Sequence, residues 1–376
     1  MKIVDIEVIE LRVPGWTGAT FDGSYDNCLV LVHTDKGITG IAEVDSVPAV
    51  IRAIIDAPRS HTHAMGLKQA ILGADPTDVE ALWDRMYDLT SYYGRRGAVI
   101  HAISAVDIAL WDLRGKTLGK SVGELLGSRE RDRVLAYGTV YPLGETPDDV
   151  RRNIDRGLKI GLKAIKIVAD PFWREDLDKT TGLIKAAREH VGGDIRLMVD
   201  AATAWATADQ GLPLMPIFKQ YDFFWVEAPL PIDDLDGHAR FQGFGVPIGG
   251  GDLGLTTHFE YEQAFTRGKI DIAQPDVTMA GGITELMKIS DLARRLGKRV
   301  VTHGYKSNIT IAANLAFLSQ HWMDEPCEYS TSESPLRWHL TEEAFPIDAD
   351  GCVAVPTAPG LGVSLDMKTV EKYRVG

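Results

Sequence analysis

With 376 residues, 45% hydrophobic and 25% charged, the chain has the make-up of a folded protein large enough for one big domain or two unequal ones. A formal net charge of −13, with no run of Lys or Arg, excludes a nucleic-acid footprint and directs attention to small molecules and cations. Three distant cysteines, Cys28, Cys327 and Cys352, form neither a disulfide framework nor a metal motif; with Asp5, Glu7 and Glu10 in the opening segment and no long apolar stretch, they predict a cytoplasmic protein without membrane association.

The first segment alternates as a strand does (Ile3, Val4, Ile6, Val8, Ile9), and a second run, Cys28 to Val32, leads through Asp35-Lys36-Gly37 into Ile38 to Val44, which is antiparallel sheet grammar. From about Asp78 to Gly119 the period lengthens: Val99, Ile100, Ile103, Val106, Leu110 and Leu113 recur at helical spacing. Strands followed by helices predict a separate α+β domain. After about Val134 short β-rich runs alternate with amphipathic stretches. The runs include Ala164–Val168, Leu197–Val199, Phe223–Val226, Ile270–Ala273 and Val300–Val301, and the stripe Leu286, Ile289, Ala293, Leu296 marks a helix that stops at Gly297.

Repeated β–α units imply a parallel sheet, and the polar residues argue that it is closed. Asp200, Glu227, Asp252, Asp276, His303 and Glu328 follow successive runs at intervals of 27, 25, 24, 27 and 25. One ionisable group per unit places all of them at the C-terminal ends of neighbouring strands, where barrel enzymes assemble their sites.

Asp200, Glu227 and Asp252 would lie on three adjacent strands, and three carboxylates brought together repel unless a cation sits among them. An all-oxygen set points to Mg²⁺, with Mn²⁺ as a substitute. His303 and Asp276 end adjacent strands, so a hydrogen-bonded pair that fixes the imidazole tautomer is expected, with His303 as a proton-transfer group. Lys166 interrupts an apolar run where a barrel strand would aim it inward.

These residues lie in stretches that resemble the enolase superfamily, specifically its mandelate racemase-like subgroup, over nearly the whole chain. They include Thr34 to Gly40, Asp107 to Asp112, Leu125-Leu126-Gly127, Val199-Asp200-Ala201, Trp225 to Pro229, Gly251-Asp252, Gln274-Pro275-Asp276-Val277 with Gly281-Gly282, and Thr302-His303. The resemblance implies a (β/α)7β TIM-like barrel over about 131–349, and an α+β capping domain made of 1–130 and of a tail, 350–376, that returns to it. It further implies that Asp200, Glu227 and Asp252 bind Mg²⁺, that His303 and Asp276 form the acid/base dyad, that Glu328 donates to or polarises a substrate carboxylate, and that the protein is a homo-oligomer.

Three positions depart from the family pattern. Asp252 replaces the usual Glu, and Ala202 replaces the usual Asn. The family's Lys-x-Lys reads Lys166-Ile167-Val168, so the base normally opposite the histidine is missing. With one proton handler, racemisation is disfavoured. A single histidine can still remove a proton alpha to a carboxylate and return it to a departing β-hydroxyl, with Lys166 nearby as a cation. The expectation is therefore a lyase that dehydrates a sugar acid or related hydroxy acid. Lactone cycloisomerisation and epimerisation through the same enediolate are the alternatives, and a non-catalytic acid-binding homologue is the alternative of another class. Tyr25, Arg95, Tyr305 and Lys306, in loops near the expected mouth, are the candidates for substrate contact.

Overall fold

The computed structural model describes residues 1–18, 22–127, 131–252, 254–320 and 324–375, so part of the Trp16 to Tyr25 loop and the expected domain boundary at 130 lie outside the described residues. Strands β1 (Ile3–Arg12), β2 (Asp26–Thr34) and β3 (Thr39–Val44) pair antiparallel in that order. The turn between β2 and β3 places Gly37 at φ 74°, a left-handed conformation that a residue without Cβ adopts at little cost. Helix Ala98–Leu118 lies across β2 and β3, with Val99, Ile100, Ile103, Val106, Leu110 and Leu113 all buried. It is apolar almost all the way round because its other side packs against helix Gly282–Leu296 of the second domain.

The second domain is the barrel. β4 (Arg133–Val140), β5 (Ala164–Val168), β6 (Arg196–Asp200), β7 (Phe223–Glu227), β8 (Ile248–Gly250), β9 (Ile272–Ala273), β10 (Arg299–Val300) and β11 (Cys327–Glu328) run parallel in the order β10-β9-β8-β7-β6-β5-β4-β11. Helices on the outside cover the outward side chains, and Tyr137, Ala164, Met198, Trp225, Ile272 and Val301 fill the inside as a separate apolar cluster.

No ladder among the described residues joins β10 to β11. Side chains close this seam instead. At the N-terminal end of the strands, Arg299 at the start of β10 makes two hydrogen bonds, 2.6 and 2.7 Å, to the carboxylate of Glu325 just before β11. At the C-terminal end, the Gly304 N–H donates to Oε2 of Glu328 at 3.0 Å.

The tail returns to the cap later than the sequence predicts. β12 (Cys352–Ala354) still pairs antiparallel with β4 of the barrel. The tail is on the cap by Gly360, whose N–H donates to the Lys120 carbonyl at 2.9 Å, and helix Met367–Tyr373 follows, after which the Val375 N–H donates to the Glu10 carbonyl at 2.8 Å. Among the described residues no helix is long and apolar enough to cross a membrane.

Candidate active site

Strand alternation builds the site in two layers. Ala164 of β5 and Trp225 of β7 belong to the apolar floor, and two residues further along each strand the same inward direction carries Lys166 and Glu227. Lys166 is 1% exposed and contacts Glu227 Oε1 directly, with Glu328 Oε1 at 3.2 Å and Asp200 Oδ2 at 3.6 Å. Its ammonium also stands 5.5 Å from the ring centre of Tyr137 in the floor.

The second oxygen of Glu227 accepts from Trp225 Nε1 at 3.0 Å and from Gln274 Nε2. Gln274 reaches it across Gly249, where any Cβ would collide with the glutamine side chain. Asp200 Oδ1 accepts from the Ala202 N–H at 2.7 Å, and Oδ1 of the buried Asp252 has no hydrogen-bond partner. Burial pushes the carboxyl of Glu227 up; Asp200, Asp252 and Glu328 push the same way, against Lys166. Burial and then Asp200 raise Asp252 likewise, with His303 and Lys166 opposing.

The structure brings His303 and Asp276 together. His303 Nδ1 lies 2.7 Å from Asp276 Oδ2, and Oδ1 of Asp276 accepts from the N–H and the hydroxyl of Thr278 at 2.6 and 2.7 Å. The hydrogen bond to Asp276 holds the proton on Nδ1, and Nε2 faces Glu328 Oε2 at 3.7 Å. Burial disfavours charge on the ring, yet Glu328 and Asp276 outweigh it and hold the imidazole well above its ordinary value.

Glu328, for which the resemblance implies donation to or polarisation of a substrate carboxylate, accepts hydrogen bonds in this structure. Thr139 Oγ1 donates to it at 2.6 Å, the Gly304 N–H at 3.0 Å, and Lys166 and His303 approach at 3.2 and 3.7 Å. Burial favours its neutral form, but Lys166 and His303 hold it ionised, down to about 2.

Among the described residues no three acidic, cysteine or histidine side chains converge on one metal-sized point, and Lys166 lies between Glu227, Glu328 and Asp200. The donor chemistry nevertheless fits a hard cation. Asp200, Glu227, Asp252, Asp276 and Glu328 outnumber Lys166 and His303, and the unpartnered buried oxygen of Asp252 belongs to that excess.

At the end of β5 the inward position is filled by Val168, level with Asp200 on β6, so an isopropyl group without an exchangeable proton occupies it. Ala202 and Thr203 adopt φ 47° and 57°, in the left-handed region.

The four candidates for substrate contact fare differently. Lys306 is buried, and all three of its N–H bonds are taken, by the Gly23 and Asp26 carbonyls at 2.6 and 2.8 Å and by Asp45 at 3.0 Å, so it is a strut between barrel and cap and not a free cation. Arg95 is exposed at the end of helix Val79–Gly94, and its neighbour Arg96 pairs with Glu260; none of these contacts reaches the dyad. Tyr25 closes the short turn Gly23–Tyr25, where burial, Asp22 and Glu333 raise its phenol. The hydroxyl of Tyr305 lies 3.4 Å from Thr331, and burial pushes it up to about 12.

Sequence reasoning missed Thr139, Thr278 and Glu43. Glu43 is a fully buried cap carboxylate that receives the Ser307 and Thr310 N–H groups at 3.0 and 2.9 Å, at the start of helix Asn308–Leu318 just beyond His303. Only Gln274 stood in a recognisable run.

Comparisons with known proteins agree with this arrangement. Residues 7–127 match the profile described as the mandelate racemase / muconate lactonizing enzyme N-terminal domain, and 149–369 match the enolase C-terminal domain-like profile. The chain is 34% identical over 320 residues to D-galactarolactone cycloisomerase of Agrobacterium fabrum, covering 81% of this chain and 82% of that protein. It is 33% identical over 315 residues to arabinonate dehydratase of Saccharolobus solfataricus, covering 82% and 81%. Its fold superposes with TM-score 0.85 and 29% identity, covering 99% and 100%, on a racemase from Streptomyces coelicolor A3(2) crystallised with bound magnesium.

Proposed function

The chain belongs to the mandelate racemase and muconate lactonizing enzyme family of the enolase superfamily, and on that premise we propose that it is a Mg²⁺-dependent sugar-acid dehydratase. The observation that carries the reading is the His303–Asp276 hydrogen bond beside a buried excess of carboxylates, with Val168 where a second base would stand. Its relative arabinonate dehydratase is a lyase of this kind.

Asp200, Glu227 and Asp252 are the residues that would hold Mg²⁺, Asp252 through its unpartnered oxygen. Bound there, the cation supplies electrostatic stabilisation for the charge that develops on the substrate carboxylate. His303 Nε2 removes the proton alpha to that carboxylate, and Asp276 keeps the ring in the required tautomer and stabilises its charged form. The enediolate then expels the β-hydroxyl, to which His303 returns the same proton. One C–H and one C–O bond break, water leaves, and the enol becomes a 2-keto acid. Lys166, held by Glu328 and Glu227, adds positive charge beneath the enediolate.

Cycloisomerisation of a lactone is the second reading, favoured by the likeness to D-galactarolactone cycloisomerase, since it begins with the same proton removal. A library of sugar acids and lactones incubated with Mg²⁺, followed by mass spectrometry, separates the two: loss of water marks the dehydratase, and unchanged mass with α-deuterium exchange the isomerase. Turnover that persists in His303→Asn would overturn both. The reading also takes the enzyme as homo-oligomeric and cytoplasmic, in keeping with three free cysteines, and light scattering tests the assembly.

A further inference from the structure

We propose that Thr278 is a positioning residue through which the capping domain sets the alignment of the Asp276–His303 pair. Thr278 is fully buried, and its hydroxyl sits between the two domains: the cap's Asp45 N–H donates to Oγ1 at 3.1 Å, and Oγ1 lies 2.7 Å from Asp276 Oδ1. An amide can only donate, so it occupies a lone pair of the hydroxyl, and the single hydroxyl proton is left to point at the carboxylate. With the Thr278 N–H on the same oxygen at 2.6 Å, Oδ1 is filled and Oδ2 is turned to His303 Nδ1.

The link extends into the cap. The Asp45 side chain pairs with Lys306 at 3.0 Å, and Lys306 holds the Gly23 and Asp26 carbonyls at 2.6 and 2.8 Å. A continuous series of polar contacts, none longer than 3.1 Å, therefore joins the segment Gly23 to Asp26 to the imidazole. If the cap shifts, Thr278 loses its amide donor and the hydroxyl is free to rotate away from Asp276. The hydroxyl's share of the alignment is thus held in place by the seated cap, which ties proton abstraction to an enclosed site.

The inference rests on His303 acting as the proton-transfer group, and the test keeps the two apart. The Nδ1 proton of His303 is followed as a downfield NMR signal, assigned by its loss in His303→Asn, beside kcat and KM. Thr278→Val is expected to move this signal and to lower kcat about tenfold with KM within about twofold, whereas Thr278→Ser keeps both. An unmoved signal in Thr278→Val, or equal losses in Val and Ser, overturns the proposal. Should Thr278→Val fail to fold, Thr278→Ala, which lacks the hydroxyl without adding a second methyl group, tests the same link: a moved signal supports it and an unmoved one overturns it. If no hydroxy acid is turned over while the signal still moves in Thr278→Val, the positioning stands and the proposed chemistry falls.

Discussion

Nδ1 of His303 lies 2.7 Å from Asp276 Oδ2, while its Nε2 lies 3.7 Å from Glu328 Oε2, so the ring stands between two carboxylates that both favour its charged form. A base must be neutral to accept a proton, and this tension sets the first expectation. Asp276→Asn removes one source of the raised imidazole value, so the pH above which His303 is a free base moves down. The tautomer is no longer fixed, and kcat/KM is expected to fall about 10²–10⁴-fold despite that shift. A pH–rate profile of the variant checks both parts; an unshifted limb would remove Asp276 from the dyad.

Among the described residues Lys166 is the only lysine inside the ring of carboxylates, and its replacement by Met deprives Glu227, Glu328 and Asp200 of that charge. Loss of one partner from such a buried set costs roughly 3–5 kcal/mol. Urea unfolding is expected to show this in Lys166→Met, with part of the loss recovered when Mg²⁺ is added. A variant as stable as the parent would show that the cluster is not ionised as described.

Mg²⁺ is expected to raise the unfolding temperature of the native protein, since a ligand at one hundred times its Kd stabilises by about 2.7 kcal/mol. EDTA should reverse the rise and abolish turnover. In Asp252→Asn the unpartnered oxygen no longer carries charge, and the Mg²⁺-dependent increment should shrink. An increment that is unchanged would place the cation elsewhere.

Ala202 follows β6 at φ 47°, a conformation that disfavours a residue with Cβ by roughly 1–2 kcal/mol and that Asn tolerates far better. Ala202→Asn is therefore expected to stabilise the fold by about 1 kcal/mol while the N–H to Asp200 is kept. Chemical denaturation measures it, and a destabilised variant would mean that the larger side chain does not fit the mouth.

Asp107, in the cap helix, accepts from the Thr284 N–H and hydroxyl at 3.0 and 2.5 Å, and burial pushes its carboxyl up to about 7. The unfolded chain titrates near ~3.9, so between these values only the folded protein holds the proton. This contribution to stability is complete below about pH 4 and is lost as pH rises to about 7, at up to roughly 1.4 kcal/mol per unit. Asp107→Asn should flatten that part of the stability profile; an unchanged slope would mean that the group is ionised throughout.

The barrel was legible because its chemistry recurs once per β–α unit: Asp200, Glu227, Asp252, Asp276, His303 and Glu328 mark the strand ends even where β9, β10 and β11 are only two residues long. Val168 was legible by its place beside Lys166. The functions of Lys306, Thr278 and Glu43 were not, because their partners lie 233 to 283 residues away in the chain, and no local pattern encodes a contact between domains. Its loop position makes Lys306 a candidate for substrate contact, and it is the fold that turns its three donors inward onto the cap.

Glu328 also closes the barrel wall, because its hydrogen bond from Gly304 spans the unladdered gap between β10 and β11. The proposed chemistry and the architecture thereby share one carboxylate. An inactive Glu328 variant does not reveal which of the two was lost, and any attempt to retune the site at this residue must also supply a new fastening for the strands on either side.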